Sequence, residues 1–377
     1  MTLIAHFRSF GRRTLIGDLL LSSQKRPPKP IAIPGARSIN ERIFLPPNHF
    51  VAGLSQKLVL LGDYVAVAWS KSYRQAADVI STLSPLAAMG PIDSSFLESA
   101  LTAIEPERKN DLSYIVCGID AQGLQHLFWH DAIGPNNIGP MGEVVCAGSG
   151  TRTFLDIASQ FSGNVLLLNP TAATQEFMQG FDIGFVAALA GEEFSSPAGL
   201  QDGWGGGYEI IREDAGRFRK TGGTLNLFFS VSEHESNSVS VWWHSCFRHT
   251  DYWRGLTVVQ AIEHEIRNGQ IVDAGRHDVF LVTAPGLDNV PIVEFVPPNI
   301  NHYDCVLTSL ISSNKEESLV YASAWETPVF RYSFQNDRVH VSFNNDFIRS
   351  LIAEVENRYK RRANFVGCRP SPFVQHA

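Results

Sequence analysis

Met1-Thr-Leu-Ile-Ala-His-Phe-Arg-Ser-Phe-Gly-Arg-Arg-Thr-Leu-Ile-Gly-Asp18 is the stretch that decides the fold. Leu3 to Phe7 alternates in part and predicts a strand. Arg8 to Arg13, with Gly11, predicts a tight turn, and Thr14 to Gly17 predicts the returning strand. A hairpin of this shape carries Asp18 back beside Thr2. Removal of Met1 would leave Thr2 with a hydroxyl and a free α-amine on one residue. An α-amine has an ordinary pKa of roughly 7.7–8.0, so much of it accepts a proton near neutral pH. An N-terminal threonine activated by its own amine is a known nucleophile–base pair.

Outward from the hairpin, Ser22 to Ser55 is rich in proline and basic residues and reads as a loop between strands. Gln56 to Ser70 reads as two apolar strands around a Gly62-Asp63 turn, with Lys57 at the head of the first. Tyr73, Ala76, Ala77, Ile80 and Leu83 then fall on one helical face. Leu112 to Trp129 predicts strand, Asp120-to-Gly123 turn, strand. Val144 to Ala147 predicts a short strand that leads into Gly148-Ser149-Gly150. Thr151 to Phe161 and Ala173 to Gly191 predict helices, the second with an apolar stripe of Phe177, Phe181, Gly184, Phe185 and Ala188 suited to a core. The glycines of Asp202-Gly-Trp-Gly-Gly-Gly207 are no phosphate loop, because no Gly-Lys-Ser/Thr follows and a strand comes next.

These landmarks resemble the start of a mature proteasome β-subunit or HslV-type peptidase, over roughly residues 2 to 230. In that family an aspartate lies sixteen residues after the catalytic threonine, and Asp18 stands at that distance from Thr2. Lys57 occupies the place of the family's site lysine, Ser149 that of the serine contacting the nucleophile's amine, and Asp202 that of an aspartate before Ser-Gly-Gly. The sequence departs from the family twice. Ser70-Lys71 stands where a glycine N–H usually helps form the oxyanion hole, and Gly205 stands where the family has serine. A backbone donor needs no side chain, so the N–H near Lys71 suffices for the hole, while Lys71 changes the pocket's size or charge.

The resemblance implies an α+β chain: a four-layer αββα sandwich of the N-terminal-nucleophile (Ntn) hydrolase type over residues 1–230, with an appended α+β region over 231–377. It implies amide-bond hydrolysis through an acyl-enzyme. Thr2 Oγ attacks, its amine relays the proton, Lys57 supplies charge, Asp18 orients Lys57, and Ser149 and Asp202 position amine and water. The substrate would be a peptide or other amide, and no cofactor or metal is required. Two alternatives remain open: a proteasome-like assembly or binding protein with reduced catalysis, and a small-amide amidohydrolase. Self-association and a partner protein bound through the C-terminal region are also open.

Composition agrees with a globular chain. Of 377 residues, 44% are hydrophobic and 18% charged, which suffices for a large core. A net charge of −7 argues against a broad nucleic-acid surface. No apolar run reaches membrane-spanning length. Arg12-Arg13 imitates a twin-arginine signal, but Asp18 interrupts the apolar stretch, so a cytoplasmic start is expected. The five cysteines have no metal or redox spacing and read as reduced thiols. Beyond residue 230, strands are expected at Ser238–Trp243, Val279–Thr283, Val290–Val296, Leu319–Trp325 and Val329–Phe343, with helices at Leu256–Asn268 and about Asn345–Arg361.

Overall fold

The computed structural model describes every residue except 1, 10–11, 26–30, 35–48, 139–140, 161–173, 196–199, 201, 234–238, 268–269, 288–293, 313–318, 324–328, 336–337 and 367–377. The chain is a mixed α and β protein built mostly from antiparallel sheet, with five α-helices among the described residues.

The opening hairpin forms as the alternation requires. β1 (Ile4–Ser9) pairs antiparallel with β2 (Arg12–Asp18), in register from Ile4 opposite Gly17 to Ser9 opposite Arg12. Gly11 lies outside the described residues. β3 (Leu20–Ser23) and β4 (Phe50–Leu54) form a small hairpin at the ends of the proline-rich connection. β5 (Leu58–Leu60), β6 (Val65–Lys71), β7 (Leu112–Ile119) and β8 (Gln125–His130) make a four-stranded sheet in that order. Inserted between β6 and β7 are α1 (Tyr73–Ala87), capped by the Ser72 hydroxyl, and α2 (Ser94–Ala103), capped by Asp93. Their apolar faces, Ala76, Val79, Ile80, Leu83, Leu97 and Leu101, bury against Val65, Val67 and Trp69.

The opening hairpin is the centre of a six-stranded sheet. It contains β9 (Ile133–Asn137), β10 (Glu143–Ala147), β11 (Tyr208–Asp214) and β12 (Arg217–Lys220), ordered β12-β11-β2-β1-β10-β9. Ile4, Leu15, Val145 and Ile211 on one face share a core with Leu58, Ala66, Ala68, Ile115 and Cys117 of the four-stranded sheet. Leu3, Ala5, Phe7 and Ile16 on the other face share a core with Phe154 of α3 (Thr151–Gln160) and Phe185 and Leu189 of α4 (Thr174–Ser195). Period-two alternation explains both faces at once.

The C-terminal half forms a second six-stranded sheet of β13 (Thr224–Glu233), β14 (Val239–Trp253), β15 (Leu256–Arg267), β16 (Gln270–Val282), β17 (Cys305–Ser312) and β18 (Leu319–Ser323). Its order is β16-β15-β14-β13-β17-β18, with β13 and β17 parallel. Phe228, Cys246 and Leu307 join Phe7 and Phe185 in one core. The expected 230/231 boundary therefore falls inside β13, and this sheet packs on the same helices as the opening hairpin. Its other face holds Leu225, Leu227, Phe229 and Val231 against the hairpin β19 (Phe330–Gln335) and β20 (Arg338–Phe343) and against Phe347, Leu351 and Val355 of α5 (Asn345–Val366).

Three expectations beyond residue 230 need correction. Val329–Phe343 is not one strand but the antiparallel hairpin β19–β20. Leu256–Asn268 is not a helix: Leu256 to Arg267 is strand β15, paired on both sides by β14 and β16. Leu256, Val259, Ile262 and Ile266 have helical spacing, but two long neighbouring strands override that local signal. Of Val290–Val296, residues 290–293 lie outside the described residues, and Glu294 to Val296 are not strand.

Candidate functional site

Thr2 sits where the hairpin begins. Its backbone N–H donates to Ser149 Oγ at 3.2 Å, and its hydroxyl donates to Asp18 Oδ1. Antiparallel pairing accounts for the second contact, because β2 ends opposite the start of β1. Asp18 is fixed by its own neighbours. Its Oδ1 also accepts Leu3 N–H at 2.9 Å, its Oδ2 accepts Gly205 N–H at 2.9 Å, and its backbone N–H donates to Leu3 O at 3.0 Å.

The Gly-Ser-Gly step holds the other side of Thr2. Gly150 N–H donates to Thr2 O at 3.2 Å. Gly148 has φ +100, and a Cβ there would lie 2.0 Å from Thr2 O. Both the left-handed backbone and the contact require glycine. Gly148→Ala is accordingly expected to cost about 3–5 kcal/mol of stability, a backbone collision being far harder to relieve than a side-chain one. Chemical denaturation of the two proteins measures it.

Lys57 precedes β5 and is 1% exposed. Gly17 lets it approach: a Cβ on Gly17 would lie 3.0 Å from Lys57 Cβ. The ammonium lies 4.1 Å from the centroid of the Trp69 ring. Burial pushes the Lys57 pKa down to about 8, against the opposing pull of Asp18 and then Glu209. Burial pushes Asp18 up to about 6, opposed by Lys57 and by hydrogen bonds from Leu3, Thr2 and Gly205. Desolvation dominates both groups, so each is held near neutrality where it can exchange or orient a proton.

Glu209 on β11 was not legible as a site residue. It is 0% exposed. Its Oε2 accepts the backbone N–H groups of Lys57 at 3.0 Å and Leu58 at 3.2 Å. Its Oε1 accepts Lys220 Nζ at 2.8 Å and Thr257 Oγ–H at 2.5 Å. Lys220 also reaches Gln56 Oε1 at 2.8 Å, while the Gln56 amide donates to Gly255 O and Val282 O. The segment that carries Lys57 is thus tied to the C-terminal sheet by a buried polar network. A glutamate between Tyr208 and Ile210, in a strand otherwise apolar at that end, was the only sequence signal.

The expected residues divide. Thr2, Asp18 and Ser149 touch, and Lys57 acts on Asp18 through its charge. Ser70 is 0% exposed, and its hydroxyl has no hydrogen-bond partner among the described residues. Lys71 ends β6 with φ +75, a conformation that favours glycine, and its ammonium pairs with Asp131 at the surface. Asp202 is exposed on the turn after Leu200, and among the described residues no hydrogen bond joins it to Thr2, Asp18 or Lys57. That departs from the role the resemblance implied; Asp18 is instead met from this segment by the Gly205 N–H.

Chemically, the cluster offers a hydroxyl against a carboxylate, a buried ammonium close enough to act on that carboxylate, and a serine hydroxyl on the nitrogen of the hydroxyl-bearing residue. Among the described residues, no group of three His, Cys, Asp or Glu side chains is placed to hold a metal ion. Cys117, Cys146, Cys246 and Cys305 are buried, and Cys368 lies outside the described residues. Among the described residues no helix is long and apolar enough to cross a membrane. The chain matches no protein-family model and no curated protein.

Proposed function

We propose that this chain is an N-terminal-threonine amide hydrolase with a four-layer αββα arrangement of the Ntn type, to which the C-terminal sheet adds a further layer. The reading rests chiefly on one observation: Thr2, Asp18 and Ser149, far apart in sequence, meet at one point beside a fully buried lysine. After Met1 removal the Thr2 amine takes the hydroxyl proton as Oγ attacks the substrate carbonyl. That forms the ester acyl-enzyme, and the amine returns the proton to the leaving nitrogen. Water then attacks the ester and releases the acid. Asp18 accepts from the hydroxyl and balances Lys57, whose charge keeps the neighbouring amine unprotonated. The backbone at Lys71 supplies an N–H for the oxyanion.

An electrophile selective for N-terminal threonine tests this reading. One adduct is expected on the peptide that begins at residue 2, and none in Thr2→Ala; an equal adduct in that variant overturns the assignment. The labelling rate is expected to rise as pH passes about 6, where Asp18 ionises, and to fall above about 8, where Lys57 loses its charge. A rate profile from pH 5 to 10 reads both limbs, and a flat profile contradicts the roles of both groups.

One observation favours the second reading, a binding or assembly module without catalysis. Thr2 is 0% exposed in the chain that carries Met1, so a substrate reaches it only after Met1 leaves or a neighbouring segment moves. Absence of labelling in a folded protein that lacks Met1 selects that reading.

A further inference from the structure

One buried pair near the site has no part in the chemistry above. Glu193 lies in the last turn of α4 and Arg248 on β14, and they are 5% and 4% exposed. Arg248 Nη2 donates to Glu193 Oε1 at 3.1 Å and Nη1 to Oε2 at 3.4 Å, the two-pronged arrangement that fixes a carboxylate in orientation. Arg248 Nη2 also donates to Pro34 O at 2.9 Å. A carboxylate in the last turn of a helix is disfavoured by the helix dipole, and burial of an ion pair is costly. Neither the helix nor the core gains by having Glu193 there.

The turn before β11 does gain. Glu193 Oε1 accepts Gly206 N–H at 3.0 Å. The preceding residue, Gly205, donates its N–H to Asp18 Oδ2 at 2.9 Å, and its carbonyl accepts Leu19 N–H at 3.2 Å and Leu20 N–H at 3.0 Å. A side chain on Gly205 would begin 2.9 Å from Glu193 Cδ, and its φ of +120 excludes one on conformational grounds as well. The space at this position is occupied from outside, by a carboxylate brought in on α4 and clamped from the C-terminal sheet.

We propose that Glu193 and Arg248 are positioning residues that lock the Gly205–Gly206 turn so that the Gly205 N–H is aimed at Asp18, which couples the C-terminal sheet to the Thr2 centre. The effect on rate rests on the reading of Thr2 as a nucleophile; the geometric coupling does not. Loss of the clamp loosens the turn and weakens a hydrogen bond that stabilises the charged form of Asp18, so that group ionises at higher pH.

The test uses the full chain with Arg248→Met, Arg248→Lys, and the double variant Glu193→Gln/Arg248→Met. The double variant carries no buried unpaired charge and keeps the test alive if Arg248→Met fails to fold. Two readouts are taken: hydrogen exchange of the peptide spanning residues 200–208, and the pH profile of Thr2 labelling. In the folded Met variants exchange of that peptide is expected to speed by about tenfold or more while β6 and β7 peptides are unchanged. The acid limb is expected to move upward from about 6 by about one pH unit. Arg248→Lys is expected to recover part of both effects. Unchanged exchange and an unchanged acid limb in a folded variant overturn the proposal, as does loss of stability spread evenly over all peptides. If the unaltered protein never labels at Thr2, the hydrolase reading fails. Exchange then decides alone, faster exchange confined to residues 200–208 supporting the coupling and unchanged exchange refuting it.

Discussion

Lys57→Met is expected to slow covalent reaction at Thr2 by about 10³-fold at pH 7, the scale of removing one preorganised charge from an enclosed site. The same variant is expected to lose stability as pH rises, and the sign follows from Asp18. Burial raises the Asp18 pKa to about 6 from its ordinary value of 3.8, and Lys57 is the largest influence pulling it down. Without Lys57 the folded value lies higher still. A carboxyl with a raised folded pKa binds more protons folded than unfolded between the two values. Its stability contribution is complete below about pH 4 and is lost as pH climbs through the folded value. The loss between pH 4 and pH 8 is therefore at least on the order of 3 kcal/mol for this group in the variant. At pH 5 the variant should be close to the original protein, since methionine fills much of the same volume without the cost of a buried ammonium. Denaturant melts at pH 5 and pH 8, with labelling rates, separate these effects. A variant equally stable at both values and still reactive would show that Lys57 is an ordinary strand-end residue.

Glu209→Gln is the second large expectation, and its effect is on folding. The carboxylate receives four donors, from Lys57, Leu58, Lys220 and Thr257. An amide presents an –NH₂ to some of those donors and leaves Lys220 and Lys57 with one buried negative charge fewer. Breaking a buried pair on one side costs about 3–5 kcal/mol, because the remaining charge is stranded. Lys220→Met added to Glu209→Gln should recover part of that loss, the partner charge being gone. An additive double variant would contradict a direct coupling between the two.

Much of this site could be read before its structure. The hairpin from Leu3 to Asp18 announces itself by alternation, and its length dictates that Asp18 returns to Thr2. Lys57 stands directly before an apolar run, and Gly148-Ser149-Gly150 directly after one, so each has a defined place at an element's end. Asp202 had the same kind of warrant and lies exposed, because the turn it belongs to meets Asp18 through the Gly205 backbone instead. Glu209, Lys220, Glu193 and Arg248 were invisible for a common reason. A charged residue in a strand or helix ordinarily points to water, and only the packing of a distant sheet turns these four inward. The same distant pairing made β15 from a segment with helical spacing. Local pattern located the ends of elements; it could not report what a second sheet would press against them.

The central claim is that Thr2 becomes the first residue of the working protein. The most direct measurement is the intact mass of the purified chain before and after the N-terminal-threonine electrophile. The prediction is a mass short by one methionine, rising by one adduct on treatment. A folded protein that retains Met1 and gains no adduct would contradict it.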